Sequence, residues 1–461
     1  MIDLSLSEIA DVVGGRVHGD PSIQVRGAAG IDSRALDAGG LFVAIPGEHV
    51  DGHDYAEAAV AAGAAAVLGS RATQAPTVVV DDVVLALGRL ASYVVGRLPA
   101  TTVFAITGSQ GKTGTKDYLA QILASSGPTV ATAGNHNNEI GVPLTMLRAT
   151  PDTRYLVLEM GARGIGHIAY LCELAHPSIS AVLNVGTAHV GEFGSREAIA
   201  VAKGEIVEAL PADGVAVLNG GDPFTREMGA RTDARVLTFG DGDGNDVSCS
   251  DSQIDALGRA TTTFTWHDEH RRVSLTQPGF HQVLNAAAAA TMALAAGLAF
   301  DDVMDAIAGA VSQSRWRMEL HESAEGTVIL NDSYNANPAS MRAALTTLQA
   351  IGEERAARTV AVLGEMRELG AETVEAHVAI GEYAASLRID VVLAIGEVAR
   401  GLLDGVIRHT DSPTSGVYAT DRAEALAWLR ENIAPGDVVV VKASRGAELD
   451  KVAEVLVEEN P

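Results

Sequence analysis

Lys112 and Thr113 stand inside the run Thr107-Gly-Ser-Gln-Gly-Lys-Thr-Gly-Thr-Lys-Asp117, whose residue types suit the handling of phosphate. Gly108 and Gly111 permit a tight turn with inward-pointing N–H groups, and the helix start that follows adds partial positive charge. In such a loop Lys112 neutralises the outer phosphates and Thr113 offers a hydroxyl to Mg²⁺, while Ser109, Gln110 and Gly114 complete the cradle. Only Ser109 and Gln110 separate Gly108 from Gly111, whereas the common phosphate loop has four residues there, so a plain glycine turn is an alternative reading. The apolar run Thr101–Ile106 before the loop and the amphipathic stretch Asp117–Ser125 after it give strand, turn and helix, which favours ATP as the ligand.

Other residues able to do chemistry lie where strands end. Glu159 closes the strand-like Tyr155-Leu-Val-Leu-Glu-Met160, and a carboxylate there can reach a cation held by the phosphate loop, a strand-end glutamate facing solvent being the lesser alternative. His189 lies in Gly186-Thr-Ala-His-Val-Gly-Glu-Phe-Gly194; read alone it is a loop histidine, because Mg²⁺ prefers oxygen. Lys203 lies on the helical stretch Arg196–Leu210, where a solvated lysine paired with a nearby glutamate is the ordinary expectation. Asn285 falls near the start of an Ala-rich helix with an amide able to bond a base or a loop. Asp332-Ser-Tyr-Asn-Ala-Asn-Pro338 reads as a strand-to-helix loop with proline at the first helical position, and Lys442-Ala-Ser-Arg445 follows another strand. Asp32-Ser33-Arg34 and Pro46-Gly-Glu-His-Val-Asp-Gly-His53 are turns or binding loops for a polar ligand.

Three units are needed to position these groups, since 461 residues exceed one ordinary core. Residues 1–98 alternate short β-rich pieces (Ile23–Val25, Leu41–Ile45, Ala65–Leu68, Thr77–Val80) with helical ones (Tyr55–Ala62, Val83–Gly96), a small α/β substrate-binding domain. Residues 99–316 form a central P-loop ATPase-like parallel-sheet domain, β-rich from Val215 to Phe264. There Asp241-Gly-Asp-Gly-Asn-Asp246 is a polar turn and not an EF-hand, because the glutamate at the twelfth position and flanking helices are missing. Residues 317–461 alternate strands (Thr327–Leu330, Thr359–Leu363, Val391–Ile395, Val438–Val441) with helices, a Rossmann-like α/β domain. No G-x-G-x-x-G occurs in that domain, so a dinucleotide cofactor is not supported.

The chain carries 33 basic and 59 acidic residues, a net charge of −26, which argues against nonspecific binding to nucleic acid or anionic membranes. If the substrates are anionic, positive charge must be gathered locally. Cys172 and Cys249 are too few and too far apart for a disulfide framework or a C-x-x-C metal site. No secretory signal and no apolar run of membrane-spanning length is found, so a cytoplasmic protein without membrane insertion is expected.

Taken together the motifs resemble the Mur ligase family, the ATP-dependent amide-forming enzymes of peptidoglycan precursor synthesis. The short loop is similar to the family's T-G-x-x-G-K-T-x-T, and Asn135-His-Asn-Asn-Glu-Ile-Gly-Val-Pro-Leu144, Glu159-Met-Gly-Ala162 and Gly364-Glu-Met-Arg-Glu-Leu-Gly370 match as well. Within it they resemble the member that joins D-alanyl-D-alanine to UDP-N-acetylmuramoyl-tripeptide. The resemblance implies two Mg²⁺ ions held at Thr113, Glu159, His189 and Lys203, the last carbamylated by CO₂, with Lys112, Lys203 and His189 as the catalytic set. It implies nucleotide contacts from the phosphate loop, Asn285, Arg317, Asp332, Tyr334 and Asn335. Asp32, Ser33, Arg34, Asp51, Gly52 and His53 correspond to the uridine-nucleotide region. Asn135 and Asn138 correspond to residues facing the peptidyl substrate, and Lys442, Ser444 and Arg445 to a C-terminal substrate-side motif. Gly114, Glu365 and Ala443 depart from the family's usual Thr, Asp and Gly. A monomer that closes on its substrates is expected.

Overall fold

The computed structural model describes residues 1–47, 50–186 and 190–460, without the side chains of Val190 and Glu192. His189, expected at the metal site, lies outside the described residues.

The first sheet runs Arg16–His18, Thr77–Val79, Ala66–Gly69, Leu41–Ala44, Ala29–Gly30, parallel except for its first pair. Its partner helix Val83–Gly96 starts where the sequence places it, because Asp82 accepts hydrogen bonds from the N–H groups of Val84 and Leu85. That helix buries Leu87, Leu90 and Val94 completely, in a core that continues into Val142, Met146 and Leu171 of the next unit. Each such side chain contributes at most about 1.5–3 kcal/mol. The helix thereby sets the first unit against the second.

The central sheet has nine strands, in the order Glu269–Pro278, Arg259–Trp266, Val247–Ile254, Arg235–Asp241, Val215–Asn219, Ile179–Val182, Thr102–Thr107, Tyr155–Glu159, Thr129–Ala131. The first three form an antiparallel meander, and the rest pair in parallel. Thr102–Thr107 and Tyr155–Glu159 are covered on both faces, as their unbroken apolar character requires, and their C-terminal ends bring residue 106 beside 159. The segment Asp241-Gly-Asp-Gly-Asn-Asp246 is a turn, pinned by Asp246 accepting from the Thr238 backbone and hydroxyl at 2.7 and 2.9 Å.

The third sheet runs Glu319–Glu322, Val328–Asn331, Val438–Lys442, Thr359–Leu363, Val391–Ile395, Ser415–Ala419, parallel apart from its first pair. Helix Pro338–Arg355 begins at the expected proline, capped by Asn337 and Ser340.

Some boundaries differ from the sequence reading. The helix after the phosphate loop spans Lys112–Ala124 and does not wait for Asp117, since Gly111 caps it in a left-handed conformation at φ 82°. The Ala-rich helix is His281–Ala295, placing Asn285 a full turn inside, and a separate helix Phe300–Gly309 follows Gly297. Helix Leu6–Val13 was not read, although Ser5 and Glu8 form a capping box and Leu6, Ile9, Ala10 and Val13 share one buried face.

Candidate active site

Strand Thr102–Thr107 delivers the glycine-rich turn to the centre of the sheet's C-terminal edge, where neighbouring strands fix its shape. Asn184 does most of this: its carbonyl accepts from Ser109 N–H, its side-chain oxygen from Gln110 N–H, and its amide donates to the Gln110 carbonyl. Ser109 Oγ accepts in turn from Gly186 N–H at 2.9 Å. Lys112 Nζ folds back to donate to the Gly108 carbonyl at 2.7 Å and faces the cavity. Burial, and secondarily the Arg317 charge, lower the Lys112 pKa against the opposing pull of Glu159, so an arriving phosphate would restore a missing counter-charge.

Beside the loop Thr113 Oγ1 donates to Glu159 Oε2 at 2.9 Å, and Asn137 Nδ2 donates to Glu159 Oε1 at 2.7 Å. Arg317 Nη2 reaches the Thr113 hydroxyl at 3.4 Å across the domain boundary. Glu159 is therefore a buried carboxylate, only 1% exposed, and does not point into solvent. No group of three or more His, Cys, Asp or Glu among the described residues is placed to hold a metal ion. A hydroxyl and one carboxylate beside a phosphate cradle nevertheless suit Mg²⁺, which takes few protein oxygens and completes its shell with phosphate and water.

Lys203 departs from the ordinary expectation for a helix lysine. It is buried on Arg196–Glu208 and lines the same cavity, without a hydrogen bond or acidic partner among the described residues. Burial, with a smaller contribution from the Lys112 charge, pushes its pKa well below the usual value. A cation left in that position would cost far more than a neutral amine.

The other end of the cavity belongs to helix His281–Ala295 and the third unit. Asn285 donates to Gln282 Oε1 at 2.9 Å and lies over Gly111 and Gly114, so a Cβ at residue 114 would fall 2.8 Å from its Nδ2. The unusual glycine of the loop thus has a packing cause. Gln282 was not singled out from the sequence, although its position three residues before Asn285 puts both amides on one helix face. Arg317 stacks over the Tyr334 ring at 4.3 Å, Trp316 stacks on the other side of the array, and Arg445 covers Trp316 at 4.2 Å.

The cavity, of about 1030 Å³, is lined by the phosphate loop, Asn135, Asn138, Glu159, Lys203, Asn285, Arg317, Asp332, Tyr334, Asn335, Lys442 and Arg445. Arg163 and Arg367, the latter paired with Glu365, add basic side chains to a lining that also holds the acidic Asp117, Glu139, Glu159 and Asp332. Ser444 lies behind the wall, where its hydroxyl accepts from Arg367 N–H at 3.0 Å. Asp32, Ser33, Arg34, Asp51, Gly52 and His53 do not line it. Arg34 grips Asp32 with two 2.9 Å hydrogen bonds, and these bonds lower the Asp32 pKa to about 2. His53 is buried, with Nδ1 against Asp51 at 2.5 Å and Nε2 accepting from Ser70 N–H at 2.8 Å, so one ring nitrogen serves its own loop and the other ties that loop to the end of strand Ala66–Gly69. Cys172 and Cys249 are free and buried, and burial raises both thiols to about 12.

Three family models match consecutive parts of the chain: the Mur ligase family catalytic domain over residues 28–93, the Mur ligase middle domain over 106–293, and the Mur ligase glutamate ligase domain over 316–445. The UDP-N-acetylmuramoyl-tripeptide--D-alanyl-D-alanine ligase of Mycobacterium tuberculosis is 43% identical, covering 99% of this chain and 98% of that protein. The enzyme of the same name from Escherichia coli is 37% identical, covering 99% of both. Among solved structures, MurF from Acinetobacter baumannii aligns with a TM-score of 0.88 at 31% identity over 99% of both chains. MurF ligase from Thermotoga maritima in complex with ADP aligns with a TM-score of 0.80 at 30% identity, over 94% of this chain and 97% of that one. Full-length similarity to these proteins, together with a three-unit α/β fold whose units all contribute to one cavity, means that the chain belongs to the Mur ligase family, in its MurF branch.

Proposed function

We propose that the protein is an ATP-dependent ligase that joins D-alanyl-D-alanine to the terminal carboxylate of UDP-N-acetylmuramoyl-tripeptide, yielding the pentapeptide precursor of peptidoglycan with ADP and phosphate. The observation that carries this reading is the convergence of Lys112, the Thr113–Glu159 pair and Lys203, which has no partner among the described residues, on a cavity that Arg317 and Asp332 also line. A carboxylate is a poor electrophile until it is phosphorylated. The peptide carboxylate therefore attacks the γ-phosphorus, the bond to the ADP oxygen breaks, and the amine of the dipeptide then displaces phosphate from the acyl phosphate, losing a proton as the amide forms.

The first step brings two anions together, so the site must neutralise and align them. The phosphate-loop N–H groups and Lys112 hold the nucleotide phosphates, Arg317 approaches from the opposite unit, and Asn285 with Gln282 faces the base. Mg²⁺, when bound, supplies charge neutralisation between the phosphate oxygens, with Thr113 and Glu159 as protein ligands and His189 a further one carried over from the family pattern. The neutral Lys203 amine can add CO₂: an N–C bond forms as one C–O π bond opens and the nitrogen loses a proton, which replaces a buried neutral amine by an anionic carbamate that would face a second metal ion. Asn135 and Asn138 border the peptidyl side. Asp32, Ser33, Arg34, Asp51, Gly52 and His53 hold the uridine-nucleotide end, outside the nucleotide cavity, and Ser444 and Arg445 shape the acceptor side.

The division into residues 1–98, 99–316 and 317–461 is supported by the five-, nine- and six-stranded sheets, one to each unit, the first unit also holding the two-stranded pair Leu4–Ser5 and Gln24–Val25. Among the described residues no helix is long and apolar enough to cross a membrane. A cytoplasmic monomer supplied by cellular ATP completes the reading. The test is phosphate release from MgATP with UDP-N-acetylmuramoyl-tripeptide, with and without D-alanyl-D-alanine, and with D-alanine as control. Release that requires the dipeptide, with a matching gain in product mass, is expected; release with a single amino acid would reassign the acceptor.

A further inference from the structure

Among the described residues the Glu159 carboxylate accepts from two side chains, one of which belongs to the phosphate loop. Thr113 holds Oε2; Asn137 Nδ2 holds Oε1 at 2.7 Å. Asn137 is itself anchored, since its backbone carbonyl accepts from Gly161 N–H at 2.8 Å, two residues beyond Glu159. The amide packs directly on that glycine: a Cβ at residue 161 would lie 2.7 Å from Asn137 Oδ1 and 3.0 Å from its Cγ. Residue 161 has a backbone that L side chains adopt readily, so the space taken by Asn137 is what demands glycine there.

We infer that Asn137 is a positioning residue for the cation site, fixing the Glu159 carboxylate in the orientation that a divalent metal beside the nucleotide requires. A carboxylate oxygen has lone pairs for both an amide donor and a metal, so Asn137 orients Oε1 without competing for it. Glu159 is only 1% exposed, leaving little water to take over if the amide is removed. The carboxylate would then be free to turn about its terminal torsion and would keep only Thr113. Asn137 also stands between Asn135 and Asn138 on the cavity wall, so the peptide-facing loop and the metal carboxylate are tied into one unit.

This inference rests on the proposed nucleotide and metal site, and it is tested by direct metal binding instead of turnover. Mn²⁺ binding is followed by electron paramagnetic resonance in the presence of saturating ADP, and ADP binding is measured separately without divalent ions. In Asn137→Ala the Mn²⁺ dissociation constant is expected to rise about 10- to 100-fold, the usual cost of losing a partner that orients a metal ligand. Metal-free ADP binding is expected to stay within about twofold of wild type. Gly161→Ala, which displaces the amide without removing a polar atom, is expected to weaken Mn²⁺ in the same direction and decides the matter if Asn137→Ala fails to fold. Unchanged Mn²⁺ affinity in a folded variant overturns the positioning role while leaving the metal site standing. No Mn²⁺ binding by wild type with ADP overturns the metal site and the inference together.

Discussion

The Lys442 ammonium lies 2.6 Å from the Asp332 carboxylate, and both groups are buried where strands Val328–Asn331 and Val438–Lys442 end side by side. Lys442 also donates to the Asn335 carbonyl at 2.8 Å, so it ties together the loop that carries Tyr334 and Asn335. Burial lowers the lysine pKa and the Asp332 charge opposes that shift, as expected for a paired interior cation. A residue read from sequence as facing substrate is thus engaged in holding the nucleotide-side loop.

Removing one member of that pair strands the other. Lys442→Met is expected to cost about 3–5 kcal/mol in urea unfolding of the third unit and to lower turnover. The double variant Lys442→Met/Asp332→Asn should regain most of the stability without regaining turnover. Equal stability in the single and double variants would show that the pair is not the reason Lys442 is buried.

Lys112→Ala is expected to reduce phosphate release by about 10²–10³-fold or more, because its charge faces the transferring phosphate. The melting midpoint should move little, since among the described residues the ammonium makes one hydrogen bond, to Gly108. Near-normal turnover in this variant would show that the loop is not the phosphate site.

Lys203 should show itself through pH. Its folded pKa is lowered, so between that value and the ordinary lysine value near 10.4 the unfolded chain binds more protons than the native one. Stability due to this residue therefore rises with pH through that window. Lys203→Met, measured in CO₂-free buffer, is expected to melt roughly 2 °C or more above wild type at neutral pH, the gap narrowing toward pH 10. Lys203→Ala should lose activity and regain part of it with short carboxylic acids, which can stand in for a carbamate. A fully active Lys203→Ala would remove that role.

Gly114→Thr restores the residue that the family loop often carries, yet Asn285 fills the space. The variant is expected to raise the KM for ATP roughly tenfold while kcat changes less. Steady-state kinetics decides; an unchanged KM would mean that Asn285 moves aside without loss.

The primary structure determined the phosphate loop, the strand-to-helix rhythm and the family, because glycine spacing, apolar runs and Pro338 act locally and leave local signatures. Helix Val83–Gly96 and strands Thr359–Leu363 and Val391–Ile395 were legible to the residue for the same reason. Only the tertiary structure decided what the polar residues do. Register within one asparagine-rich loop makes Asn137, and not Asn135 or Asn138, the partner of Glu159. Packing of helix against strand turns Lys203 into a buried amine, and His53 and Lys442 into struts. Charge and hydrogen-bonding capacity are properties of a residue, but burial and partner belong to the fold, and those two set whether a lysine is a solvated cation, a buried anchor or a reactive base.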